Sequence, residues 1–258
     1  MLLLRPLRPH PNCGVATSYR HQTVTIVTEQ QFLSDCWAAS DRPAAPRRGQ
    51  NRAVDTIAVL LAAGGGTRFA GPRHKLATPL GDGRTVAEHA LAAARAAAIG
   101  PVIVVVGATA LDLPAAAAEG VTFVTNPDWQ QGQATSLQVA IATADRRGAE
   151  AIVVGLADQP LVAVAAWRRI AASRAPIAIA TYPDAGPGPG HPVRLHRSVW
   201  PLVPTDGDRG ARDLIRSRPE LVERVPCPGS TADVDTIDDL DHVEELGSWQ
   251  NSSSTNSR

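Results

Sequence analysis

The sequence predicts an α/β fold, a single Rossmann-like domain with a doubly wound, mostly parallel sheet and helices on both faces. Two observations support this prediction. Short β-branched apolar runs alternate with helical stretches at the spacing of βαβ units, and the first run ends in a glycine-rich loop. The chain has 258 residues and is 44% hydrophobic, which suffices for one sizeable α/β core. Ligands of such folds bind at the carboxyl ends of the strands.

The predicted elements follow one another along the chain. The run at 57–61 is apolar and β-branched and leads into glycines, as expected of a buried parallel strand. The alanine-rich stretch 85–99 has its larger apolar residues on one side, and Gly100-Pro101 ends it, so a helix is predicted there. Further strands are predicted at 102–106, 121–124 and 151–156, and further helices at about 109–118 and 134–147.

Both ends of the chain differ from its centre. Residues 1–53 mix Pro, Arg, Gln and Ser without a sustained period and are predicted to be a disordered N-terminal extension. Residues 247–258 are rich in Ser and Asn and are predicted to be a disordered tail. The domain itself is expected to span residues 54–246.

Charge and cysteine usage exclude several classes of function. Residues 54–246 hold 17 Lys and Arg against 22 acids, which argues against a nucleic-acid partner. No apolar run has the length of a signal core or a membrane span, so we expect no membrane partner and a cytoplasmic location. Three cysteines without metal-ligand spacing fit a reducing compartment: Cys13, Cys36 and Cys227.

The glycine-rich loop has the outline of a phosphate cradle, because glycines let backbone N–H groups converge on an anion. A dinucleotide fingerprint counted from Gly64 meets Phe69 where its third glycine belongs. A P-loop counted from Gly66 reaches Pro72 instead of lysine. The loop is therefore of neither kind. Its residues are the predicted nucleotide-binding set: Leu61, Ala62, Ala63, Gly64, Gly65, Gly66, Thr67 and Arg68.

Lys75 is the only lysine among the 25 basic residues Lys and Arg. A chain so biased toward arginine has replaced lysine wherever a solvated cation suffices, so the remaining lysine is a candidate for a role that needs a compact ammonium. Chance retention is the alternative.

The segment from Leu61 to Lys75 resembles the signature of MobA-like NTP transferases, L-A-x-G-x-x-x-R-(M/F)-G-x-x-K. The spacing between Arg68 and Lys75 is two residues longer than in the shortest family form. Ile237 stands where a D-(I/V)-D-T-P-E-D element has proline. Five further elements match in order: Asn126-Pro127-Asp128-Trp129 with Gly132 and Ser136-Leu137, Ala157-Asp158-Gln159-Pro160, Gly190-His191-Pro192-Val193, Gly207-Asp208-Arg209-Gly210-Ala211-Arg212, and Asp233-Val234-Asp235-Thr236 with Asp239.

The resemblance covers about residues 54–246 and is closest to the molybdenum cofactor cytidylyltransferase branch. It implies a fold of the nucleotide-diphospho-sugar transferase type and a Mg²⁺-dependent nucleotidyltransferase domain. It also implies that Arg68, Lys75 and Asp158 are catalytic and that Mg²⁺ binds Asp158 and Asp235. Asp233 is the alternative to Asp235, and either acid is also a candidate for capping a following helix. A strand-end turn is the alternative role for Asp158.

Two further groups are expected to contact substrates. Gly132 and Ser136 precede a predicted helix and are expected to bind the ribose or base, with N-capping by Thr135 or Ser136 as the alternative. The second substrate is expected to meet His191, Asp208 and Arg212, although a hydrogen-bonded loop histidine explains His191 equally well.

The expected reaction transfers CMP from CTP to the phosphate of a molybdopterin-type cofactor and releases pyrophosphate. A phosphate monoester has a second pKa of about 6, so the acceptor needs no catalytic base at neutral pH. Ala62-Ala63-Gly64 and Asp158-Gln159-Pro160 resemble the cytidylyl branch and differ from the guanylyl branch. The alternatives are a transferase for GTP or for a sugar phosphate, and a non-catalytic carrier or chaperone of the cofactor. A molybdoenzyme that receives the product is an expected partner.

Overall fold

A computed structural model of the chain describes residues 55–108, 111, 113–183 and 190–252. These residues belong to one compact unit. The predicted extension at 1–53 lies outside the described residues. Seven strands form one sheet: β1 Thr56–Ala62, β2 Val102–Val106, β3 Val121–Thr125, β4 Ala151–Leu156, β5 Ile177–Thr181, β6 Gly190–His196 and β7 Val222–Pro226.

The strand order in the sheet is β3-β2-β1-β4-β6-β5-β7. Strand β6 runs antiparallel to its neighbours β4 and β5, and the other neighbouring pairs are parallel. The predicted α/β fold with a mostly parallel sheet is therefore confirmed. Strands β1 and β4 are paired at the centre of the sheet, so the loops that follow them leave from adjacent points of the same edge.

Helices cover both faces of the sheet, as predicted. Their bounds are α1 Val86–Ala96, α2 Ala115–Ala118, α3 Gln133–Arg146, α4 Val164–Ala172, α5 Arg212–Ser217 and α6 Asp238–Ser252. Four short 3₁₀ helices accompany them at Lys75–Ala77, Trp129–Gln131, Arg197–Leu202 and Pro219–Leu221. Alternate residues of β1 belong to two separate cores, because successive strand side chains point to opposite faces: Leu60 packs with α1 and α4, and Val59 packs with α3.

Two predicted helices are shorter in the structure. Among the described residues of the helix predicted at 109–118, only Ala115–Ala118 is helical, because Pro114 fixes its own φ and disfavours helix in the residue before it. Residues 109, 110 and 112 of that prediction lie outside the described residues. The helix predicted at 85–99 ends at Ala96, before Gly100-Pro101, since Ala98 has a positive φ of 52°.

The carboxyl-terminal helix α6 extends to Ser252, past the predicted start of the tail at residue 247. Its apolar residues Leu240, Val243 and Leu246 pack against the core that contains α1 and α4, which holds this helix on the domain. Residues 253–258 lie outside the described residues. No described helix combines the length and the apolar character that a membrane crossing requires.

Candidate active site

A pocket of about 290 Å³ opens where the β1 and β4 loops leave the sheet. We name it the lysine pocket. Its lining includes most of the glycine-rich loop together with the predicted cations and carboxylates. The lining residues are Leu61, Ala62, Gly64, Gly65, Gly66, Thr67, Arg68, Lys75, Leu76, Asp158, Asp233 and Asp235. The structure therefore brings together residues that lie up to 174 positions apart in the sequence, from Leu61 to Asp235.

Lys75 occupies the centre of the polar contacts in this pocket. Its Nζ donates to Asp158 Oδ2 at 2.7 Å and to Asp235 Oδ1 at 2.8 Å, and its side chain is only 9% exposed. Burial lowers the pKa of Lys75, but the charges and hydrogen bonds of the two aspartates outweigh burial and raise this pKa above its usual value. Lys75 is therefore a fully charged ammonium at neutral pH.

Asp158 follows β4 by two residues and is tied to the segment that holds Asp235. Its backbone oxygen accepts the N–H of Val234 at 2.9 Å, which places Asp233 and Asp235 beside the end of β4. The Oδ1 atom of Asp158 is buried and has no hydrogen-bond partner. A buried carboxylate oxygen without a partner is costly, so this atom is available to an incoming cation or donor.

Asp235 contacts a second cation through its carboxylate, and its backbone N–H is hydrogen-bonded to Asp239. Arg68 lies 2.7 Å from Asp235 Oδ2, while the Arg68 side chain stays 75% exposed. The N–H groups of Asp235 and Thr236 donate to Asp239 Oδ2 at 2.9 and 2.7 Å. Asp239 is therefore the acid that accepts the backbone N–H groups of this turn. The Asp235 carboxylate takes no part in this capping and faces the pocket.

Asp233 also lines the lysine pocket. Burial raises the pKa of Asp233, and the nearby charges of Asp235 and Asp158 raise it further. The contacts of Lys75 and Arg68 are with Asp235. Of the two alternatives for a second metal ligand, Asp235 is thus the carboxylate that the structure orients toward the cations.

The acidic residues fit a cation that also binds a phosphate substrate. Across the described part of the chain, no three His, Cys, Asp or Glu side chains converge into a complete metal cage. Mg²⁺ in phosphate-handling sites is usually held by one or two carboxylates together with substrate phosphates, so Asp158 and Asp235 suffice. The unpartnered Asp158 Oδ1 is an oxygen that could serve as a ligand atom. Lys75 and Arg68 balance these two negative charges.

Gly132 and Ser136 do not line the lysine pocket. The buried Asn126 amide donates to Thr135 Oγ1 at 2.8 Å and to Ser136 Oγ at 2.9 Å. The residue that caps α3 is Gly132, without a side-chain cap, so neither Thr135 nor Ser136 is the N-cap. A β-carbon on Gly132 would lie 2.4 Å from the backbone of Gly207, which explains this glycine by close packing. Substrate binding by Gly132 and Ser136 stays a prediction.

A second, narrower pocket of about 30 Å³ lies beside the first, and Leu61 lines both. We name it the arginine pocket. Three kinds of residue line it: an apolar floor of Leu61, Leu137, Val154, Val193, Leu195, Ala211 and Ile215, the polar side chains of Gln133, His191, Arg209 and Arg212, and the backbone of Gly210. Of the residues predicted for the second substrate, His191 and Arg212 therefore share a pocket.

His191 points its Nδ1 at the carbonyl oxygen of Val154, 3.2 Å away, so Nδ1 is the protonated nitrogen. Burial lowers the pKa of His191, which leaves the ring neutral at pH 7. Asp208 is not among the lining residues. Its carboxylate lies against Gly132, where an added β-carbon would be 2.7 Å from Oδ1.

Sequence reasoning did not single out three polar residues that lie in these pockets or against the glycine-rich loop. Gln133 and Arg209 line the arginine pocket. His74 contacts the glycine-rich loop, with Nε2 3.2 Å from the Gly64 carbonyl oxygen. Arg209 is one of the residues quoted in the 207–212 motif, so that motif was a usable signal. Gln133 and His74 stand at unspecified positions inside their motifs, which gave no signal for either residue.

Comparison with known proteins gives a consistent assignment. The model of the MobA-like NTP transferase domain matches residues 58–224. Nicotine blue oxidoreductase of Paenarthrobacter nicotinovorans is 33% identical over 198 residues, covering 73% of this chain and 93% of that relative. The crystal structure of Rv0371c from Mycobacterium tuberculosis H37Rv is 33% identical, has a TM-score of 0.60, and is matched over 75% of this chain and 99% of its own.

Two further structures are similar. Rv0371c in complex with manganese is 34% identical, with a TM-score of 0.58 and coverage of 74% of this chain and 98% of its own. A nucleotidyl transferase from a Methanothermobacter species has a TM-score of 0.66, 24% identity and coverage of 76% and 99%, a likeness that shows the fold. With its glycine-rich loop and this extent of similarity, the chain belongs to the MobA-like NTP transferase family, within the nucleotidyltransferase superfamily.

Proposed function

We propose that the protein is a divalent-metal-dependent cytidylyltransferase that transfers CMP from CTP to the phosphate of a molybdopterin-type cofactor. The main supporting observation is the contact of one buried ammonium, Lys75, with two carboxylates beside a glycine-rich loop. A triphosphate needs cations and backbone N–H groups, and its metal ion needs carboxylates, so the lysine pocket offers both kinds of group.

Binding of the triphosphate would exchange the ion pairs of the pocket. The backbone N–H groups at Gly64–Thr67 would hold the β- and γ-phosphates, Arg68 would bind them as a fork, and Lys75 would face the α-phosphate. Asp158 and Asp235, released from these cations, would then hold the metal ion. When bound, the ion neutralises charge on the α-phosphate and the leaving pyrophosphate. Rv0371c has been crystallised in complex with manganese, which supports a divalent cation as a cofactor of this chain.

The acceptor is proposed to enter from the arginine pocket. One oxygen of its phosphate attacks the α-phosphorus of CTP, the bond to the bridging oxygen breaks, and pyrophosphate leaves. Arg209 and Arg212 would neutralise the acceptor phosphate, and the apolar floor suits a ring system. His191 is a neutral hydrogen-bonded ring and has no proton-transfer role in this step, because a dianionic phosphate is already a nucleophile.

Other substrates and roles remain alternatives for the test. The protein could use GTP in place of CTP or a sugar phosphate as the acceptor. It could also be a non-catalytic carrier of the cofactor. Oxidoreduction, the activity named for the Paenarthrobacter relative, has less support in this chain. Its loop lacks the third glycine of a dinucleotide fingerprint, whereas the Lys75 and Asp158 contact suits a triphosphate and a metal ion.

The decisive experiment incubates the protein with each of the four NTPs, Mg²⁺ or Mn²⁺, and the pterin cofactor. Products are identified by mass spectrometry, and pyrophosphate is measured as phosphate after pyrophosphatase treatment. We expect the cytidine dinucleotide form of the cofactor and stoichiometric pyrophosphate, with none in the presence of a chelator. A product formed with GTP instead of CTP would support the nucleotidyltransferase activity but overturn the proposal that CTP is the substrate. No pyrophosphate with any NTP would contradict the transferase.

A further inference from the structure

His74 connects the glycine-rich loop to the turn that presents Lys75. Its Nε2 lies 3.2 Å from the Gly64 carbonyl oxygen, which can only accept a hydrogen bond. Its Nδ1 lies 3.3 Å from the backbone nitrogen of Leu76, which can only donate. These two partners fix the ring as the neutral tautomer with its proton on Nε2.

The loop is shaped around this ring. Gly66 has a positive φ of 58°, and a β-carbon there would lie 2.9 Å from His74 Nε2. The Gly66 carbonyl also accepts the N–H of Phe69 at 3.0 Å, which closes a turn directly after the contact. The imidazole therefore fills the space beneath the glycines and bonds to the first of them.

The same residue begins the 3₁₀ helix Lys75–Ala77 as its N-cap. The His74 carbonyl accepts the N–H of Ala77 at 2.8 Å and the hydroxyl of Thr78 at 3.3 Å. Burial lowers the pKa of His74, and the adjacent charge of Lys75 lowers it further, against the bond to Gly64. At neutral pH, the ring therefore keeps the tautomer that both hydrogen bonds require.

We propose that His74 is a positioning residue that braces the glycine-rich loop in its phosphate-binding conformation, through the hydrogen bond from Nε2 to Gly64. The identity of the phosphate ligand, a nucleoside triphosphate, rests on the proposed function. The brace itself joins residues of the chain to one another, so it can be tested on the protein alone.

Two substitutions separate the two hydrogen bonds of the ring. His74→Asn places an acceptor near the Nδ1 position and keeps the cap, but its amide is too short to reach Gly64. His74→Gln places a donor near the Nε2 position and keeps the brace, but gives up the cap. The chain also offers a matched control in His196, whose Nδ1 accepts the N–H of Ser198 at 3.3 Å in the same capping arrangement. His196→Asn should leave the loop unchanged.

Nuclear magnetic resonance on the free protein tests the brace directly. The imidazole nitrogen shifts should show a protonated Nε2 and a bare Nδ1. In His74→Asn, the backbone order parameters at Gly64, Gly65 and Gly66 should fall from about 0.85, the value of a rigid backbone, toward about 0.6. They should stay rigid in His74→Gln and His196→Asn. A loop as rigid in His74→Asn as in wild type would overturn the inference, whatever the protein binds.

Binding gives the functional readout. We expect His74→Asn to raise the Kd and KM for CTP about tenfold, the loss of one hydrogen bond, with kcat changed less than about twofold. His74→Gln should restore binding to near wild type. Equal binding by wild type and His74→Asn would overturn the inference, and failure of wild type to bind any NTP would overturn the proposed function while the order parameters still decide the brace.

Discussion

The lysine pocket and the arginine pocket lie side by side at one edge of the sheet, yet their charged groups are arranged differently. In the lysine pocket, cations and carboxylates are already paired with each other, and Lys75 is almost fully buried. In the arginine pocket, the exposed Arg212 stands over an apolar floor. In the first arrangement, a ligand would exchange the partners of cations that already lie between carboxylates. The second pocket holds about 30 Å³, so its side chains would have to move to admit a ligand.

The comparison predicts the largest effect at Asp158. Asp158→Asn keeps the shape of the side chain but removes the charge that pairs with Lys75 and would hold the metal ion. We expect kcat/KM to fall about a thousandfold, about 4 kcal/mol of transition-state stabilisation, while circular dichroism shows a folded protein. The control is Asp145→Asn, an exposed carboxylate paired with Arg197. Near-normal turnover of Asp158→Asn at saturating Mg²⁺ would remove Asp158 from the reaction.

Lys75→Arg tests whether the lysine pocket needs a compact ammonium. The Nζ atom fits between Asp158 and Asp235 at 2.7 and 2.8 Å, and a planar guanidinium is too large for that position. We expect a folded protein with kcat/KM reduced about a hundredfold, about 2.7 kcal/mol. Lys75→Ala should be no less damaging. Kinetics of Lys75→Arg equal to wild type would show that the single lysine is retained by chance.

Gly132→Ala tests whether Gly132 is needed for the stability of the folded protein or for substrate binding. Gly132 has a φ of 109°, and its added β-carbon would meet the Gly207 backbone at 2.4 Å, so we expect unfolding to become easier by about 2 kcal/mol. The matched control is Gly148→Ala, at a φ of 69° with open space around it, which should cost about 1 kcal/mol. Thermal unfolding measures both. An unchanged Tm of Gly132→Ala together with weaker CTP binding would show that Gly132 contributes to substrate binding.

The smallest effect is expected in the arginine pocket. Arg212→Ala removes one cation from the rim, so the KM for the acceptor should rise about tenfold while the Kd for CTP stays unchanged. Arg216→Ala, a neighbouring exposed arginine of α5 outside the pocket lining, serves as the control. Weaker binding of CTP by Arg212→Ala, measured calorimetrically, would show that the two pockets do not divide the substrates in this way.

Sequence reasoning was most successful where a signal is local. The β1 run and the glycines after it predicted the loop, and its position at the end of a central strand is confirmed. The helix predicted at 109–118 is confirmed at Ala115–Ala118, whereas Leu111, Leu113 and Pro114 are not helical, because Pro114 restricts the backbone of the residue before it. Strands β5, β6 and β7 were not specified. In β6 and β7 the apolar residues are interrupted by proline and charged residues.

The amino-acid sequence by itself determined the fold class, the phosphate-type loop and the set of motif residues, because these depend on hydrophobic period, glycine and order along the chain. Only the tertiary structure decided which of those residues meet. It paired Lys75 with Asp158 and Asp235 from three distant segments, and it assigned the capping role to Asp239. It also showed the close approach of Gly132 to Gly207 and the hydrogen bond from Asn126 to Ser136, and it brought His74 against the loop. The physical reason is that a side chain's role depends on its spatial neighbours, which parallel strands bring together from far apart in the sequence.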